Sequence, residues 1–279
     1  MLISEAFDLY KYEFIQMKGQ SSRTEEMHDY VCKNLICFFG DINIADLSIV
    51  NIRNWFTDLM KTRCQNTVRG YIIKLRRVLD YCKKRKIIDT DVSLIQIPRR
   101  QNKVPEFLTE QEIDRMINKA PNYRSKFVIS LLYSSGIRLS EMISLSRNQI
   151  YERRFTVIGK GNKPRLCFID ERTEKLMNIY LRSRQDHSNA LIVSYENKNR
   201  ITRTNVELLV KNAARRAGVL KHVTPHTMRH SYATNFLRNG GNIRVLQVLL
   251  GHESLETTMI YTHIVYNDLE EQYQKYHSI

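Results

Sequence analysis

The chain has 279 residues, with 44 Lys and Arg against 29 Asp and Glu, and carries a formal net charge of +15. At roughly 100–200 residues per domain this length predicts two domains, and the apolar fraction of 42% excludes general disorder. The charge favours a polyanionic partner, and the lack of any apolar run of about 18 residues argues against a membrane-spanning helix.

The first 97 residues are predicted to form a helical domain. Apolar residues recur at helical spacing over four segments, residues 6–14, 31–39, 49–60 and 68–82. Ser21 and Ser22 are expected to precede one helix, and Asn66 and Thr67 another. Charged residues interrupt the apolar positions near the N-terminus, which argues against a signal peptide.

The last of these helices is strongly basic and leads into a predicted linker. Its cations are Arg69, Lys74, Arg76 and Arg77, followed by the run at 83–86. Such a run forms either a solvated charged face or a stripe that contacts phosphates. Residues 98–105 are polar and basic and begin and end with proline, which cannot continue a helix. The domain boundary is therefore predicted in this segment.

Residues 106–279 are predicted to form a second domain that is mainly helical. Thr109 and Glu112 have the spacing of a capping box, so a helix should begin there. Residues 154–158 and 165–169 flank a turn rich in Gly and Asn, and they predict an antiparallel hairpin. Helical patterns cover residues 124–135, 140–145, 171–183, 204–217, 227–239 and 243–250.

The second half also concentrates residue types that suit phosphodiester transfer. A phosphate under attack carries extra negative charge, which two guanidiniums can hold through bidentate hydrogen bonds. Imidazoles can move protons, a lysine can protonate the departing oxygen, and a phenol can attack phosphorus. Because fixed positive charge replaces a metal ion, neither a metal nor a cofactor is expected. The candidates are Arg138, His226, Arg229, His252 and Tyr261.

The motifs around these residues resemble the catalytic signature of the tyrosine recombinases, the phage integrase and Xer family. They are Gly-Ile-Arg-Leu-Ser-Glu at 136–141, Gly-Lys-Gly-Asn-Lys at 159–163, His-Thr-Met-Arg-His at 226–230 and Leu-Leu-Gly-His at 249–252. Tyr261 follows the last motif at the position of the family's nucleophile. The resemblance covers nearly the whole second half, and the layout of the first half also agrees with it.

The resemblance implies a mainly α fold in two parts. Residues 1–97 would form an N-terminal helical, SAM-like core-binding domain, residues 98–105 a linker, and residues 106–279 an α-rich catalytic domain with a small antiparallel β-sheet. The resemblance assigns Lys160 as general acid and Tyr261 as nucleophile. The residues it assigns to the scissile phosphate are Arg138, His226, Arg229 and His252.

Several neighbouring residues are competitors or are expected to be structural. Lys163 lies in the same turn as the proposed general acid and stays open as an alternative. Tyr232 lies on an apolar helical face and is expected in the core. Glu141 is expected to brace the neighbouring arginine or to cap its helix. His230 and His263 are also expected to be structural.

The implied activity is site-specific recombination of double-stranded DNA through a 3′-phosphotyrosine, by a homo- or hetero-tetramer on two sites. Chromosome dimer resolution, phage integration and mobile-element transposition all stay open as its role. The alternatives are supercoil relaxation of the type IB topoisomerase kind, a DNA-binding protein with an inactive site, and an RNA- or membrane-binding protein. Leu269, Tyr273 and Tyr276 suggest that residues 267–279 dock on a neighbouring protomer.

Cysteine usage indicates the compartment. The five cysteines include no Cys-x-x-Cys pair, so neither a zinc site nor a disulfide framework is expected. Reduced thiols fit a protein of the cytoplasm, where an enzyme of this family would associate with the nucleoid.

Overall fold

The computed structural model describes residues 1–17, 22–101, 106–159, 162–252, 254–259 and 261. The chain divides into two compact units, Met1–Lys103 and Val104–Ile279. Within the described ranges, no helix combines the length and the apolar character needed to cross a membrane.

The described part of the first unit is helical, as the periodicity of the sequence predicts. Its helices are α1 (Ile3–Lys11), α2 (Ser22–Phe39), α3 (Ile49–Thr62) and α4 (Gln65–Lys84), with a π-helical turn at Tyr12–Gln16 and 3-10 turns at Ile44–Asp46 and Val92–Leu94. Their apolar faces meet in one core, where Leu35, Trp55 and Leu75 are fully buried. The four predicted helices are thus confirmed, although α2 begins nine residues before the apolar segment that predicted it and the end of the first segment lies in the π-helical turn.

One predicted helix start is wrong, and the reason is visible in α4. The helix begins at Gln65 behind Cys64, so Asn66 and Thr67 lie inside its first turn rather than before it. The Asn66 side chain does not cap the helix, because it bonds to the backbone of residue 101: Nδ2 donates to the carbonyl and Oδ1 accepts from the N–H, both at 3.0 Å. Ser22 is the first residue of α2, and Ser21 lies outside the described residues.

Residues 98–101 of the predicted linker lie along α4. Besides the Asn66 contacts, Arg69 Nε donates to the Pro98 carbonyl at 3.0 Å. About two turns further along α4, Arg76 donates to the Ile95 carbonyl at 3.4 Å. Two cations of the predicted stripe therefore hold the chain's own backbone, whereas Arg77 and residues 83–86 are exposed.

The described part of the second unit contains the α-helices and the hairpin that the sequence predicts. Its elements are α5 (Glu110–Lys119), α6 (Tyr123–Ser135), α7 (Leu139–Ser144), β1 (Arg154–Ile158), β2 (Pro164–Phe168), α8 (Glu171–Arg182), α9 (Arg203–Arg216), α10 (Pro225–Arg238), α11 (Ile243–Leu250) and α12 (Glu256–Met259). The capping box is confirmed, since Thr109 Oγ1 accepts from the Glu112 N–H at 3.2 Å and Glu112 Oε2 accepts from the Thr109 N–H at 2.8 Å. The short helix α12 has no counterpart in the sequence predictions.

Helix α6 is the central element of the second unit and packs against α5, α8, α9 and α10. It is buried on most sides, because apolar residues fill consecutive positions such as Phe127, Val128 and Ile129. The helix stops at Gly136, whose φ of +58° is the left-handed conformation that favours glycine. This stop directs the chain into α7 and sets the position of residue 138.

The hairpin and a small apolar cluster complete the surroundings of the site. Strands β1 and β2 pair antiparallel with Arg154 opposite Phe168, and alternate residues of each strand are buried. A separate cluster joins α10, α11 and the last described residue through Ala233, Leu237, Leu246, Leu250 and Tyr261.

Candidate active site

Arg138 is the N-cap residue of α7, and its side chain lies at the surface of the second unit. Glu141, three residues later, accepts from the Arg138 backbone N–H at 2.7 Å and from Nη1 at 2.9 Å. The expectation that Glu141 braces the arginine or caps its helix therefore holds on both counts. The Arg138 side chain remains 34% exposed, so part of its guanidinium faces solvent.

The Glu141 carboxylate is shared with a second arginine, Arg165 of strand β2. Arg165 donates to both carboxylate oxygens, at 2.7 Å and 2.6 Å, in a bidentate pair that is buried on both sides. Burial by itself would raise the pKa of Glu141, but the hydrogen bonds from Arg165 and from the Arg138 N–H hold that pKa below its ordinary value. Glu141 is therefore an anion at neutral pH.

Arg229 of α10 is the most deeply buried cation of the site, with 3% of its surface exposed. Its Nη1 donates to the Gly136 carbonyl at 2.6 Å, and its Nη2 donates to the Leu250 carbonyl at 2.5 Å. Burial, followed by the neighbouring positive charge of Arg138, lowers the pKa of Arg229 to about 10, so it is still charged at neutral pH.

The C-terminus of α11 holds all three guanidiniums through successive backbone carbonyls. Arg165 Nε donates to Leu249 at 3.0 Å, Arg229 to Leu250, and Arg138 Nη2 to Gly251 at 3.3 Å. The last carbonyls of a helix have no partner within the helix and carry its partial negative charge. The end of α11 is thus a ready acceptor for cations that come from three other elements.

His252 follows this helix end directly and contacts Arg229. Its Nε2 lies 3.3 Å from Arg229 Nη2, and its Nδ1 lies 2.9 Å from Thr258 Oγ1. A guanidinium can only donate, so Nε2 is the acceptor and the proton belongs on Nδ1. Burial and the nearby arginines lower the pKa of His252 to about 4, which keeps the ring neutral at pH 7.

His226 and Tyr261 are connected through the ring of His230. The His226 and His230 ring centroids are 4.2 Å apart, and those of His230 and Tyr261 are 5.3 Å apart. His226 is the exposed residue in the otherwise buried first turn of α10, yet partial desolvation of its ring, together with the charges of Arg229 and Arg138, lowers its pKa. The Nδ1 atom of His230 is buried and has no hydrogen-bond partner within the described part of the chain.

Tyr261 is enclosed rather than presented at the surface. Only 2% of its surface is exposed, and its ring belongs to the apolar cluster between α10 and α11. Burial raises the pKa of Tyr261, and the charges of Arg229 and Arg138 only partly oppose this. The competitor Tyr232 is partly buried against the same cluster, as expected for a core residue.

Of the two lysines in the hairpin turn, Lys160 lies outside the described residues, as does His263. The Lys163 carbonyl accepts from the Gly159 N–H at 2.9 Å and closes the turn. A Cβ added at Gly159 would lie 3.9 Å from Arg138 Nη1, so the start of this turn is adjacent to the guanidinium.

Sequence reasoning missed Arg165 as a member of the site. A signal exists in the alternation of β2, because Arg165 shares the buried face with Cys167. A cation at a buried strand position requires a charged partner. Glu141, at the start of α7, is that partner.

The site as a whole has three guanidiniums, Arg138, Arg165 and Arg229, around one carboxylate. Among the described residues, no three or more His, Cys, Asp or Glu side chains form a group that could hold a metal ion. With one guanidinium neutralised by Glu141, two positive charges remain beside neutral imidazoles. Such an arrangement can bind an anion with two or more oxygens and can accept or donate protons next to it.

Comparison with known proteins gives a consistent result. Residues 106–268 match the family described as the phage integrase family. A tyrosine recombinase XerD of Oceanobacillus iheyensis is 33% identical over 225 residues, covering 76% of this chain and 75% of that protein. A tyrosine recombinase XerA of Pyrococcus horikoshii is 31% identical over 271 residues, covering 94% and 90%.

The fold also has a solved counterpart. The crystal structure of a lambda integrase dimer bound to a core site is similar with a TM-score of 0.77, and the match covers 91% of this chain and 96% of that one. The sequence identity of 14% restricts this likeness to the fold.

Proposed function

The chain belongs to the phage integrase family and is a tyrosine-type site-specific DNA recombinase, and we propose that six residues carry its chemistry. Tyr261 is the nucleophile and Lys160 the general acid. The phosphate is held by Arg138, His226, Arg229 and His252. The observation that carries this assignment is the convergence of Arg138, Arg229 and His252 on the end of α11, which leaves net positive charge where a phosphate would bind.

In the proposed cleavage step, the Tyr261 Oη forms a bond to phosphorus while the bond from phosphorus to the 5′ oxygen breaks. The phenolic proton passes to a neutral imidazole, and the 5′ oxygen takes a proton from the Lys160 ammonium. The products are a 3′-phosphotyrosine and a 5′-hydroxyl. Arg138 and Arg229 stabilise the charge that develops on the non-bridging oxygens. A 5′-hydroxyl from a partner duplex then reverses the step, so one phosphodiester replaces another without ATP.

The protonation states of the site support this scheme. The lowered pKa values of His226 and His252 keep both rings neutral at pH 7. Because His252 Nε2 already accepts a hydrogen bond from Arg229, His226 is the ring that accepts the phenolic proton in this scheme. The raised pKa of Tyr261 keeps the phenol protonated until a base and a phosphate are close. The nucleophile is therefore inactive while it is buried.

Tyr261 must leave its apolar cluster before it can attack. A buried aromatic side chain covers roughly 150–250 Å², which at ~25 cal/mol per Å² gives an upper bound of about 4–6 kcal/mol for its apolar contribution. The free energy of DNA binding has to offset this cost. We therefore expect the binding of DNA to be faster than its cleavage.

We further propose where the protein acts and with what. The first unit would be the core-binding domain, which contacts duplex DNA through exposed cations such as Arg77 and residues 83–86. The working assembly would be a tetramer of identical or paired recombinases on two sites, in the cytoplasm at the nucleoid. The proposed docking of residues 267–279 on a neighbour concerns residues that lie outside the described ones.

The test starts from selection of a target site. The Tyr261→Phe protein, which cannot form the ester, is used to select duplexes from a randomised library. The selected sequence is then made with a nick next to the cleavage position, so that the released 5′ fragment diffuses away and the covalent intermediate accumulates. The wild-type protein should form an adduct that resists denaturation, and Tyr261→Phe should form none.

Two results would contradict the proposal. An adduct that persists in Tyr261→Phe assigns the nucleophile elsewhere. Failure to enrich any sequence, together with relaxation of supercoiled plasmid without a defined site, would instead indicate topoisomerase-like activity. Tyr232→Phe is a matched control, because it removes a phenolic hydroxyl on the same cluster and should leave the adduct unchanged.

A further inference from the structure

We propose that Arg165 is a positioning residue for DNA cleavage, an inference that rests on the function proposed above. By neutralising Glu141, it leaves Arg138 free to bind the scissile phosphate. It also holds the backbone segment that presents His252. Arg165 acts through these groups and does not itself touch the phosphate.

The first observation is that the two arginine side chains share the Glu141 carboxylate unequally. Arg165 takes both oxygens in a bidentate pair, whereas Arg138 receives one oxygen through a single nitrogen. The Arg165 and Glu141 side chains are 7% and 6% exposed, so their charges meet out of water. Because Arg165 satisfies the carboxylate, Arg138 keeps nitrogens available for a second anion.

The attachment of Arg165 to α11 is the second observation. Its Nε donates to the Leu249 carbonyl at 3.0 Å. Gly251, with φ of +63°, passes so close that an added Cβ would lie 2.8 Å from Arg165 Cδ. The Gly251 carbonyl in turn accepts from Arg138, and His252 is the next residue. One buried side chain therefore fixes both the arginine of α7 and the histidine after α11.

The loss of Arg165 has a specific electrostatic consequence. The buried Glu141 carboxylate would keep only Arg138 as a charged partner. Attraction in a partly desolvated site would draw the guanidinium inward, so the carboxylate would compete with the phosphate for it. The expected defect is weaker stabilisation of negative charge in the transition state, and it adds to any loss of stability.

A substrate with a neutral phosphate separates this defect from a structural one. Replacing one non-bridging oxygen by a methyl group removes a negative charge from the scissile group, which reduces the need for a well-placed Arg138. Arg165→Met should slow cleavage of the natural phosphate by about 100-fold, comparable to the loss of one transition-state donor. On the methyl-substituted substrate, a methylphosphonate, the cleavage rate of the same variant should fall much less relative to wild type.

Arg184→Met is the matched control. Arg184 is 3% exposed and pairs with Asp186 and several carbonyls in the loop after α8, so its loss also leaves a carboxylate without its buried partner. The loss of cleavage rate in Arg184→Met should be the same on both substrates, because this variant lowers only the fraction of protein that is folded. Equal penalties for Arg165→Met on both substrates would overturn the proposal.

Removal of the carboxylate gives a second, independent test. In Glu141→Gln/Arg165→Met no carboxylate competes with the phosphate for Arg138, so the rate of cleavage of the natural phosphate should recover by about tenfold over Arg165→Met. No recovery would count against the proposal. Should Arg165→Met fail to fold, Arg165→Gln takes its place in the substrate comparison, because a neutral amide can still donate a hydrogen bond to the carboxylate without neutralising it.

The outcomes distinguish this inference from the proposed function. The wild-type protein must form an adduct on the selected nicked duplex and Tyr261→Phe must not, whatever the behaviour of Arg165. If that holds and the Arg165 and Arg184 variants behave alike, only the positioning role fails.

Discussion

Replacing Gly136 by Ala is expected to impair cleavage well beyond its effect on stability. Gly136 ends α6 with φ of +58°, and an added Cβ would lie 2.4 Å from Tyr232 Cδ1. Its carbonyl is also the acceptor for Arg229 Nη1 at 2.6 Å. One added methyl group therefore strains the backbone, collides with a ring and moves the anchor of a phosphate-binding arginine.

The magnitude follows from these contacts. A left-handed conformation costs a residue with a side chain about 1–2 kcal/mol, and overpacking typically adds about 1–3 kcal/mol. The second unit should therefore lose about 2–5 kcal/mol of unfolding free energy. A shift of the Arg229 anchor by ~1 Å can cost about 100-fold in rate, in molecules that are still folded.

The matched control is Gly218→Ala. Gly218 has φ of +68° and an added Cβ would have nothing within 4 Å, so this variant carries only the backbone cost. Hydrogen exchange of the α10 amides measures stability, and adduct formation on the nicked duplex measures cleavage. The double variant Gly136→Ala/Tyr232→Ala removes the ring that the added Cβ would strike. It should recover part of the cleavage rate lost in Gly136→Ala without recovering its stability. If Gly136→Ala matched Gly218→Ala in both measurements, the reasoning would be refuted.

Three further predictions concern other parts of the chain. Burial lowers the pKa of His28 to about 4, and its unfolded form takes up a proton nearer 6.5, so stability falls as the pH drops through this range. The free energy of unfolding of the first unit should therefore be about 3 kcal/mol lower at pH 4 than at pH 7. Urea unfolding followed by the fluorescence of the single tryptophan, Trp55, should show this difference in wild type and not in His28→Phe. In a substrate with sulfur in place of the bridging 5′ oxygen, the leaving group departs without needing a proton from a general acid. This substrate should restore cleavage by Lys160→Ala and not by Lys163→Ala, and the opposite result assigns the general acid to Lys163. Asn66→Ala should speed exchange of the residue 101 amide that Asn66 holds, and unchanged protection there would contradict the linker contact.

Local signals explain most of what the sequence predicted. Helical periodicity, the Thr109 capping box and the two strands that flank the Gly- and Asn-rich turn each depend on a few neighbouring residues, and the described part of the chain contains these helices, this box and both strands. The resemblance to the tyrosine recombinases predicted one site for Arg138, Arg229 and His252, and these residues meet at the end of α11. The start of α4 was misplaced because Asn66 bonds to a segment 35 residues away, which no local pattern reveals.

Two features of the site could not be read from the sequence. The burial of Tyr261 depends on how α10 and α11 pack, and its own neighbours in the chain give no sign of it. The contacts of the arginines with the end of α11 involve backbone carbonyls, which every residue has. Arg165 is different, since its place on the buried face of β2 could have been derived from strand alternation and would have called for an acidic partner.

The carbonyl anchors at 249–251 have a consequence for how this protein tolerates change. A substitution at Leu249 that keeps the helix leaves its accepting oxygen in place, so alanine scanning would miss this anchor of Arg165. An insertion or deletion in the last turn of α11 would instead shift all three acceptors out of phase with their arginines. The turn therefore tolerates substitution at positions such as Leu249 but not at the buried Leu250 or at Gly251, and it tolerates no change in its length.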